Sequence, residues 1–299
     1  MIKRTILFGN PGYLHVRDSQ LVWKPDDAIS QMVTIPIEDL GIVIIDHYGI
    51  TVTQSVLTLL VDNNCAIVVC DSKHHPSGIM IANNIHSQYS QVVKAQLEAS
   101  LPLKKNLWQQ VIKAKIKQQA EVLKMLEEDY ATLTRLCSKV NSGDTLNCEG
   151  QAAAYYFGKL FGQELKFRRG RYLAPPNNLL NYGYAILRAI SARSLTGSGL
   201  MGVLGLHHRN KYNPWCLADD IMEPYRPFVD KLVLRLCSEI TVDELPEELT
   251  PKWKRKLLSI PVLDVDIEDE KRPLSLAVQR TTASLARAFL GETRKLILP

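Results

Sequence analysis

The chain has 299 residues, of which 46% are hydrophobic and 22% charged, enough to bury a sizeable core as one large domain or two smaller ones. No run approaches 18 apolar residues, which argues against a membrane-spanning helix. The start, Met1 to Thr5, leads into only a few apolar residues before Asn10-Pro11-Gly12, which reads against a secretory signal. The six cysteines (Cys65, Cys70, Cys137, Cys148, Cys216, Cys237) form no CxxC pair, a pattern expected in a reducing cytoplasm and not in a zinc site or disulfide framework.

The net charge of +5 is unevenly spread. Residues 1–80 hold five Lys/Arg against eight Asp/Glu, a balance of −3; the remainder holds 31 against 23, a balance of +8. The basic excess of the larger, C-terminal part suits a polyanionic partner, although the same excess also serves solubility alone.

The first 80 residues read as β-rich. Short runs of β-branched and aromatic residues predict strands at 5–8, 13–17, 21–23, 32–36, 42–45 and 66–70, with turns at 9–12 and 17–20. One helix over 53–63, opened by Thr53, places Val56, Leu57, Leu60 and Val61 on one face. His74-His75 before Pro76 lacks a regularly spaced partner beyond Asp71 and reads as loop. From about His86 the pattern turns helical. Residues 104–125 set six lysines (Lys104, Lys105, Lys113, Lys115, Lys117, Lys124) against Glu121, predicting an amphipathic helix with a basic face turned to solvent, DNA or a partner. After a polar loop at 141–147, Glu149 opens a helix whose Ala152-Ala153-Ala154 permits close packing. Further helices are predicted at 178–194, at 217–240 with bends at Pro224 and Pro227, and at 274–290, with short helices and loop over 238–269. The fold class is therefore α+β: a small β-rich N-terminal domain (1–82) followed by a larger all-helical domain (83–299).

The most informative stretch is 205–227. His207-His208 is followed by Asp219, Asp220 and Glu223, and on a helix all three carboxylates project near one face. Like charges so close need a cation, a basic partner such as Arg226, or protonation. The same spacing also allows an ordinary helix-start Asp219 and a surface Glu223–Arg226 pair. Glu149 alone would be a carboxylate favouring a helix N-terminus. With His208 and Glu223 it completes a set of two carboxylates and one imidazole, suited to Mg²⁺ or Mn²⁺ with positions open for substrate oxygens. There is no Glu-x-x-His pair, His-Glu-x-x-His, P-loop, Gly-x-Gly-x-x-Gly or Gly-x-Ser-x-Gly. The cluster Arg168, Arg169 and Arg171, with Phe167 and Tyr172 beside it and Arg188 and Arg193 downstream, reads as phosphate forks with stacking aromatics, or else as a solvated turn.

Several of these elements together resemble one family. Glu149 opening its helix, Gly-Leu-His-His at 205–208 and Asp-Asp-Ile-Met-Glu-Pro-Tyr-Arg-Pro at 219–227 are similar to the CRISPR-associated integrase family, the larger of the two core spacer-acquisition proteins. So are Asn10-Pro11-Gly12-Tyr13, Pro36-Ile37-Glu38-Asp39-Leu40-Gly41 and Asn181-Tyr182-Gly183-Tyr184, so the likeness spans nearly the whole chain. The form His-His-Arg-Asn-Lys-Tyr-Asn-Pro-Trp resembles the version found beside single-protein RNA-guided nucleases (type II systems).

The resemblance implies a dimerising β-rich domain and a helical domain with a metal site at Glu149, His208 and Glu223. His208 rather than His207 is implied because the family places its histidine fifteen residues before the final acid. Asp219 and Asp220 are then supporting or DNA-facing groups, and Tyr182 joins Arg168, Arg169, Arg171, Arg188 and Arg193 as a DNA contact. The activity implied is metal-dependent integration: the 3′-hydroxyl of a foreign double-stranded fragment attacks the edge of a CRISPR repeat, without nucleotide cofactor. The implied assembly is a dimer of dimers bridged by a small second adaptation protein, with no membrane partner. The rival readings are a non-catalytic DNA-binding scaffold and a plain metal-dependent nuclease.

Overall fold

The structure, a computed structural model, describes residues 3–27, 30–72, 74–83, 86–162, 167–170, 173–241 and 244–299. Its first part runs β1 (Arg4–Phe8), β2 (Gly12–Arg17), β3 (Gln20–Pro25), β4 (Val33–Pro36), β5 (Leu40–Ile45), β6 (Ile50–Val52), α1 (Gln54–Asp62), β7 (Ala66–Cys70) and β8 (Pro76–Met80). Asp18 and Ser19 both adopt left-handed backbone (φ 50° and 57°) and close the two-residue β2–β3 hairpin. One sheet has the order β4-β3-β2-β6 and the other β1-β5-β7-β8. In the second, β1, β5 and β7 are parallel and β8 returns antiparallel.

The second sheet is buried on both faces, and its side-chain alternation shows why β5 and β7 are almost wholly apolar. Val43 and Ile67 point into the core between the sheets with Leu14, Leu21 and Leu40. Ile42, Ile44, Ala66, Val68 and Cys70 point the other way, into the core of the helical part. Polar contacts reinforce this junction: Asp46 and Lys254 form a buried ion pair across it, and Arg193 donates to the Asn64 carbonyl. Within the first part, His74 Nδ1 lies 2.9 Å from Asp46 Oδ1, and Lys3 Nζ donates to the Asn63 carbonyl at 2.7 Å.

The helical part comprises α2 (Tyr89–Glu98), α3 (Leu101–Met125), α4 (Ala131–Lys139), α5 (Cys148–Leu160), α6 (Asn177–Gly197), α7 (Cys216–Met222), a 3-10 turn at Glu223–Tyr225, α8 (Arg226–Ser238) and α9 (Pro251–Leu257). A short hairpin, β9 (Asp264–Ile267) and β10 (Glu270–Pro273), precedes the last helix, α10 (Leu274–Phe289). Ser100 caps α3, its hydroxyl accepting from Leu103 N at 3.3 Å. α6 is the hub, buried along most of its length. At Gly183 a Cβ would fall 2.6 Å from Val229 Cγ1, so α6 and α8 meet there only because the residue is glycine. Among the described residues no helix is long and apolar enough to cross a membrane.

The β-rich start and helical remainder agree with the sequence reading, and helices begin at Tyr89, soon after β8 ends at Met80. Four strands depart from it. β6 is only three residues long, β8 starts at proline and contains glycine, and β9 and β10 are dominated by charged residues. The larger departure is α3. It is amphipathic as expected, with Lys105, Lys117 and Lys124 exposed, but its other face is central, and Lys115 is buried there with Leu107, Trp108, Val111, Ile112, Ile116 and Gln119.

Candidate metal and nucleic-acid site

Glu149 stands in the first turn of α5. The turn before it is fixed by Asp144, whose two carboxylate oxygens accept from Cys148 N and Glu149 N, each at 2.9 Å. Asn147, in left-handed backbone (φ 51°), accepts from Gly150 N at 3.3 Å. The sequence Asp-Thr-Leu-Asn before Cys148 thus caps three of the orphan N–H groups of the helix start and directs Glu149 inward.

His208 lies in the loop between α6 and α7, which wraps around the fully buried carboxylate of Asp220. Asp220 Oδ2 accepts from Leu206 N at 2.6 Å and His207 N at 3.1 Å. Oδ1 accepts from His208 N at 3.2 Å and meets His208 Nδ1 at 2.6 Å. Gly205 makes this possible: a Cβ would fall 2.4 Å from His208 O and 2.9 Å from Asp220 Oδ2. The Asp220 hydrogen bond raises the imidazole pKa against the opposing effect of burial, with Glu223 and Asp219 adding to the rise. With Nδ1 committed to Asp220, Nε2 is the nitrogen left for a ligand. His207 has a different task, stacking on Trp108 with ring centroids 4.5 Å apart and planes within 3°.

Glu223 follows α7, and Pro224 turns the chain into the 3-10 segment before α8. Its carboxylate is buried between two cations. Arg226 Nη2 is 3.1 Å from Oε1 and Lys115 Nζ is 2.6 Å from Oε2. Lys115 Nζ also pairs with Glu149 Oε1, so one ammonium joins the carboxylates of α5 and the 3-10 turn. Burial works to raise the Glu223 pKa, but Arg226 and Lys115, with His208, hold it below the ordinary carboxylate range. Burial likewise opposes the charge on Lys115, and Glu223 and Glu149 overcome it, leaving the ammonium more strongly protonated than in water.

The donors suit a hard divalent ion: two carboxylates that already converge on a cation, and an imidazole oriented by a carboxylate. Among the described residues no three His, Cys, Asp or Glu side chains are drawn together closely enough to hold an ion directly. The position between the two glutamates belongs to Lys115.

The three carboxylates at 219, 220 and 223 share a neighbourhood but no common cation. Asp219 Oδ1 accepts from Arg188 Nε at 2.6 Å and Oδ2 from Asn213 Nδ2 at 2.6 Å. Asp220 is thus internal, not DNA-facing. Of the basic set, Arg168 is exposed, and Arg188 has 43% of its side chain exposed beside Asp219. Arg169 is a clamp: it donates to Asn177 Oδ1 at 2.9 Å and Asn181 Oδ1 at 2.8 Å, with its guanidinium 5.2 Å from the Tyr184 ring. Arg171 lies outside the described residues. Two expected DNA contacts are buried at the domain junction instead: Tyr182, fully buried with its ring 5.8 Å from Lys254 Nζ, and Arg193, donating to the Asn64 carbonyl. Both fall on inward faces of α6, which their motif did not disclose.

Sequence reasoning missed Lys115 and Trp108. A signal existed: 108, 111, 112, 115 and 119 share the apolar face of α3, so Lys115 was the one lysine of its helix at a core position. A buried lysine demands an acidic partner.

Residues 5–252 match the family described as CRISPR associated protein Cas1, and the chain belongs to that family. It is 37% identical to a CRISPR-associated endonuclease Cas1 of Neisseria meningitidis, over 99% of this chain and 95% of the relative. A second relative, CRISPR-associated endonuclease Cas1 2 of Pyrobaculum aerophilum, is 28% identical over 85% of this chain and 89% of its own length. Among solved structures the fold is similar to a casposase bound to integration product, with TM-score 0.82 and 21% identity over 98% of this chain and 92% of the other. A CAS1 protein from Thermotoga maritima gives TM-score 0.78 at 16% identity, covering 99% of both chains. A Cas6-RT-Cas1–Cas2 complex gives 0.77 at 19% identity, covering 99% of this chain and 36% of that one.

Proposed function

We propose that this chain is a divalent-metal-dependent DNA endonuclease and integrase of CRISPR adaptation, using Mg²⁺ or Mn²⁺ held by Glu149, His208 and Glu223. The observation that carries the reading is His208, held through Nδ1 by a buried aspartate and set beside a buried glutamate. That arrangement orients an imidazole as a ligand and has little use in a plain surface loop. In the reaction, the 3′-hydroxyl of a foreign DNA fragment forms a new ester bond to a repeat phosphate as the existing bond to the adjoining 3′-oxygen breaks. The hydroxyl proton passes to solvent, and the departing 3′-oxygen keeps the electron pair of the broken bond and then takes up a proton. When bound, the metal polarises the phosphate and steadies the charge that develops on it.

The chain's own residues supply the rest. Asp220 fixes the ring of His208, Arg226 holds Glu223 in its buried position, and Asp144 with Asn147 aims Glu149. Arg168 and Arg188, with Arg171, are the positions for phosphate contact, and Arg169 ties the segment next to Arg168 to α6.

The reading extends to assembly and place. The Cas1–Cas2 complex among the similar structures supports a small second adaptation protein as partner. Residues 1–82 form the dimerisation unit, and two dimers bridged by that partner set two catalytic sites at the ends of one fragment, in the cytoplasm. The test is strand transfer with a double-stranded fragment, a supercoiled plasmid carrying a CRISPR repeat, and divalent metal. Joined products are expected. Nicks without joining would make the protein a nuclease only, and DNA binding without product a scaffold.

A further inference from the structure

The proposed reaction leaves Lys115 unexplained. It is the only lysine of α3 on the buried face, its side chain is 7% exposed, and its Nζ touches both Glu149 and Glu223. Among the described residues the two carboxylates it touches are already neutralised: Glu149 and Glu223 contribute two negative charges, Lys115 and Arg226 two positive ones. Asp219 is balanced by Arg188, and Asp220 serves the Nδ1 side of His208. A divalent ion entering between the two glutamates would crowd two further positive charges against the ammonium and the guanidinium, unless the ammonium withdraws or an anion arrives. A DNA phosphate is such an anion. The flexible four-carbon stem of a lysine, unlike the planar fork of arginine, lets its charge move some ångströms while α3 stays fixed.

We propose that Lys115 is a resident counter-cation that takes the metal's place between Glu149 and Glu223. A divalent ion then binds weakly until DNA enters, when the ammonium passes from the carboxylates to a phosphate oxygen. Metal loading is thereby coupled to substrate, and a site that cuts DNA is kept from being armed without it. The inference rests on the reading of Glu149, His208 and Glu223 as ligands.

The experiment is titration of the full-length protein with Mn²⁺, free ion being counted by electron paramagnetic resonance. It is run with and without a short DNA duplex, corrected for ion held by the duplex alone. Wild type should bind Mn²⁺ weakly alone and at least about tenfold more tightly with DNA. Lys115→Met should bind it about tenfold more tightly than wild type without DNA, and gain less than about threefold from DNA. Lys115→Gln, which offers the carboxylates a hydrogen bond without a charge, serves as the second variant, with thermal melts in chelator confirming the fold. Unchanged Mn²⁺ affinity in both folded variants overturns the proposal. So does a loss of fold in both that Mn²⁺ cannot restore, which would make Lys115 a structural tie no metal replaces. Glu149→Gln and Glu223→Gln separate this inference from the reading beneath it. If they abolish Mn²⁺ binding while the Lys115 variants behave as wild type, only the Lys115 inference fails. If wild type shows no site these variants remove, the metal-ligand reading itself fails.

Discussion

Asp220 holds His208 twice, by the ring nitrogen at 2.6 Å and by the backbone N–H at 3.2 Å. Its other oxygen gathers the N–H groups of Leu206 and His207. One buried carboxylate therefore sets both the path of the loop and the orientation of the imidazole.

Asp220→Asn should reduce strand transfer or DNA cleavage by roughly 10–100-fold, the usual effect of losing the group behind a metal-binding histidine. The amide also turns an N–H group toward backbone donors, so the melting temperature should fall, in keeping with about 1–3 kcal/mol for a buried mismatch. Activity assays paired with thermal melts check both; full activity in the variant would show that His208 needs no such support.

The two adjacent histidines should separate cleanly. His208→Ala should abolish strand transfer while DNA binding persists, since phosphate contacts carry most of the affinity. His207→Ala should lose only its stacking on Trp108, worth about 0.5–1.5 kcal/mol, and keep activity. A dead His207→Ala beside an active His208→Ala would reverse the assignment.

The basic residues should also divide by role. Arg168→Ala should lower the slope of log affinity against log salt by about 0.9 if it meets one duplex phosphate. Arg169→Ala should instead destabilise the protein, because its two charged hydrogen bonds to Asn177 and Asn181 are lost, at a cost of about 1–3 kcal/mol. Equal salt slopes for wild type and Arg168→Ala would return Arg168 to the status of a solvated residue.

Asp230, in α8, gives a pH dependence of stability. It is fully buried, accepts from Tyr184 Oη at 2.5 Å, and burial raises its pKa to about 6. Because the folded value lies above the unfolded one, the folded state holds the proton more tightly. The stabilisation is complete at pH below the unfolded value and is lost as pH rises through about 6, amounting to roughly 3 kcal/mol by neutral pH. Asp230→Asn keeps the acceptor and removes the titration. Relative to wild type it should gain stability between pH 4 and pH 7.5 in denaturant titrations; a constant difference across that range would refute the assignment.

Assembly can be tested at the sheet edge. Val33, 46% exposed on the edge strand β4, and Tyr48, 75% exposed near β6 at the opposite edge, are among the apolar groups available for a symmetric contact. Light scattering should give about 67 kDa, twice the 33.7 kDa chain, and Val33→Lys should shift it toward monomer. A monomeric wild type at micromolar concentration would remove the dimer from the proposal.

The β-rich start, helical remainder and most element positions were legible because they rest on local pattern. The unbroken apolar run at 42–45 declares a buried strand, and the period of 274–290 declares a face. The Glu149, His208 and Glu223 set was read from residue chemistry and family likeness, and the structure joins two of them, Glu149 and Glu223, through one lysine. Lys115 was not, because a lysine amid five others on one helix looks like solvent-facing charge until the neighbouring helices are placed. Tyr182 and Arg193 were misplaced for the converse reason: polar groups on a helix invite an exposed reading, and only the packing of the sheet against α6 makes their side inward. β8 escaped notice because its pairing with β7, not its own Pro-Ser-Gly sequence, makes it a strand.

The sheet whose two faces serve two cores has a consequence for how the protein comes apart. Removing residues 1–82 would strip Ile42, Ile44, Ala66 and Val68 from the helical core, leaving an apolar scar where they lay. The boundary between the two parts is one of shape and not of cooperativity. The chain should melt in a single calorimetric transition, and the dimer surface can be probed by point substitutions but not by cutting the chain in two.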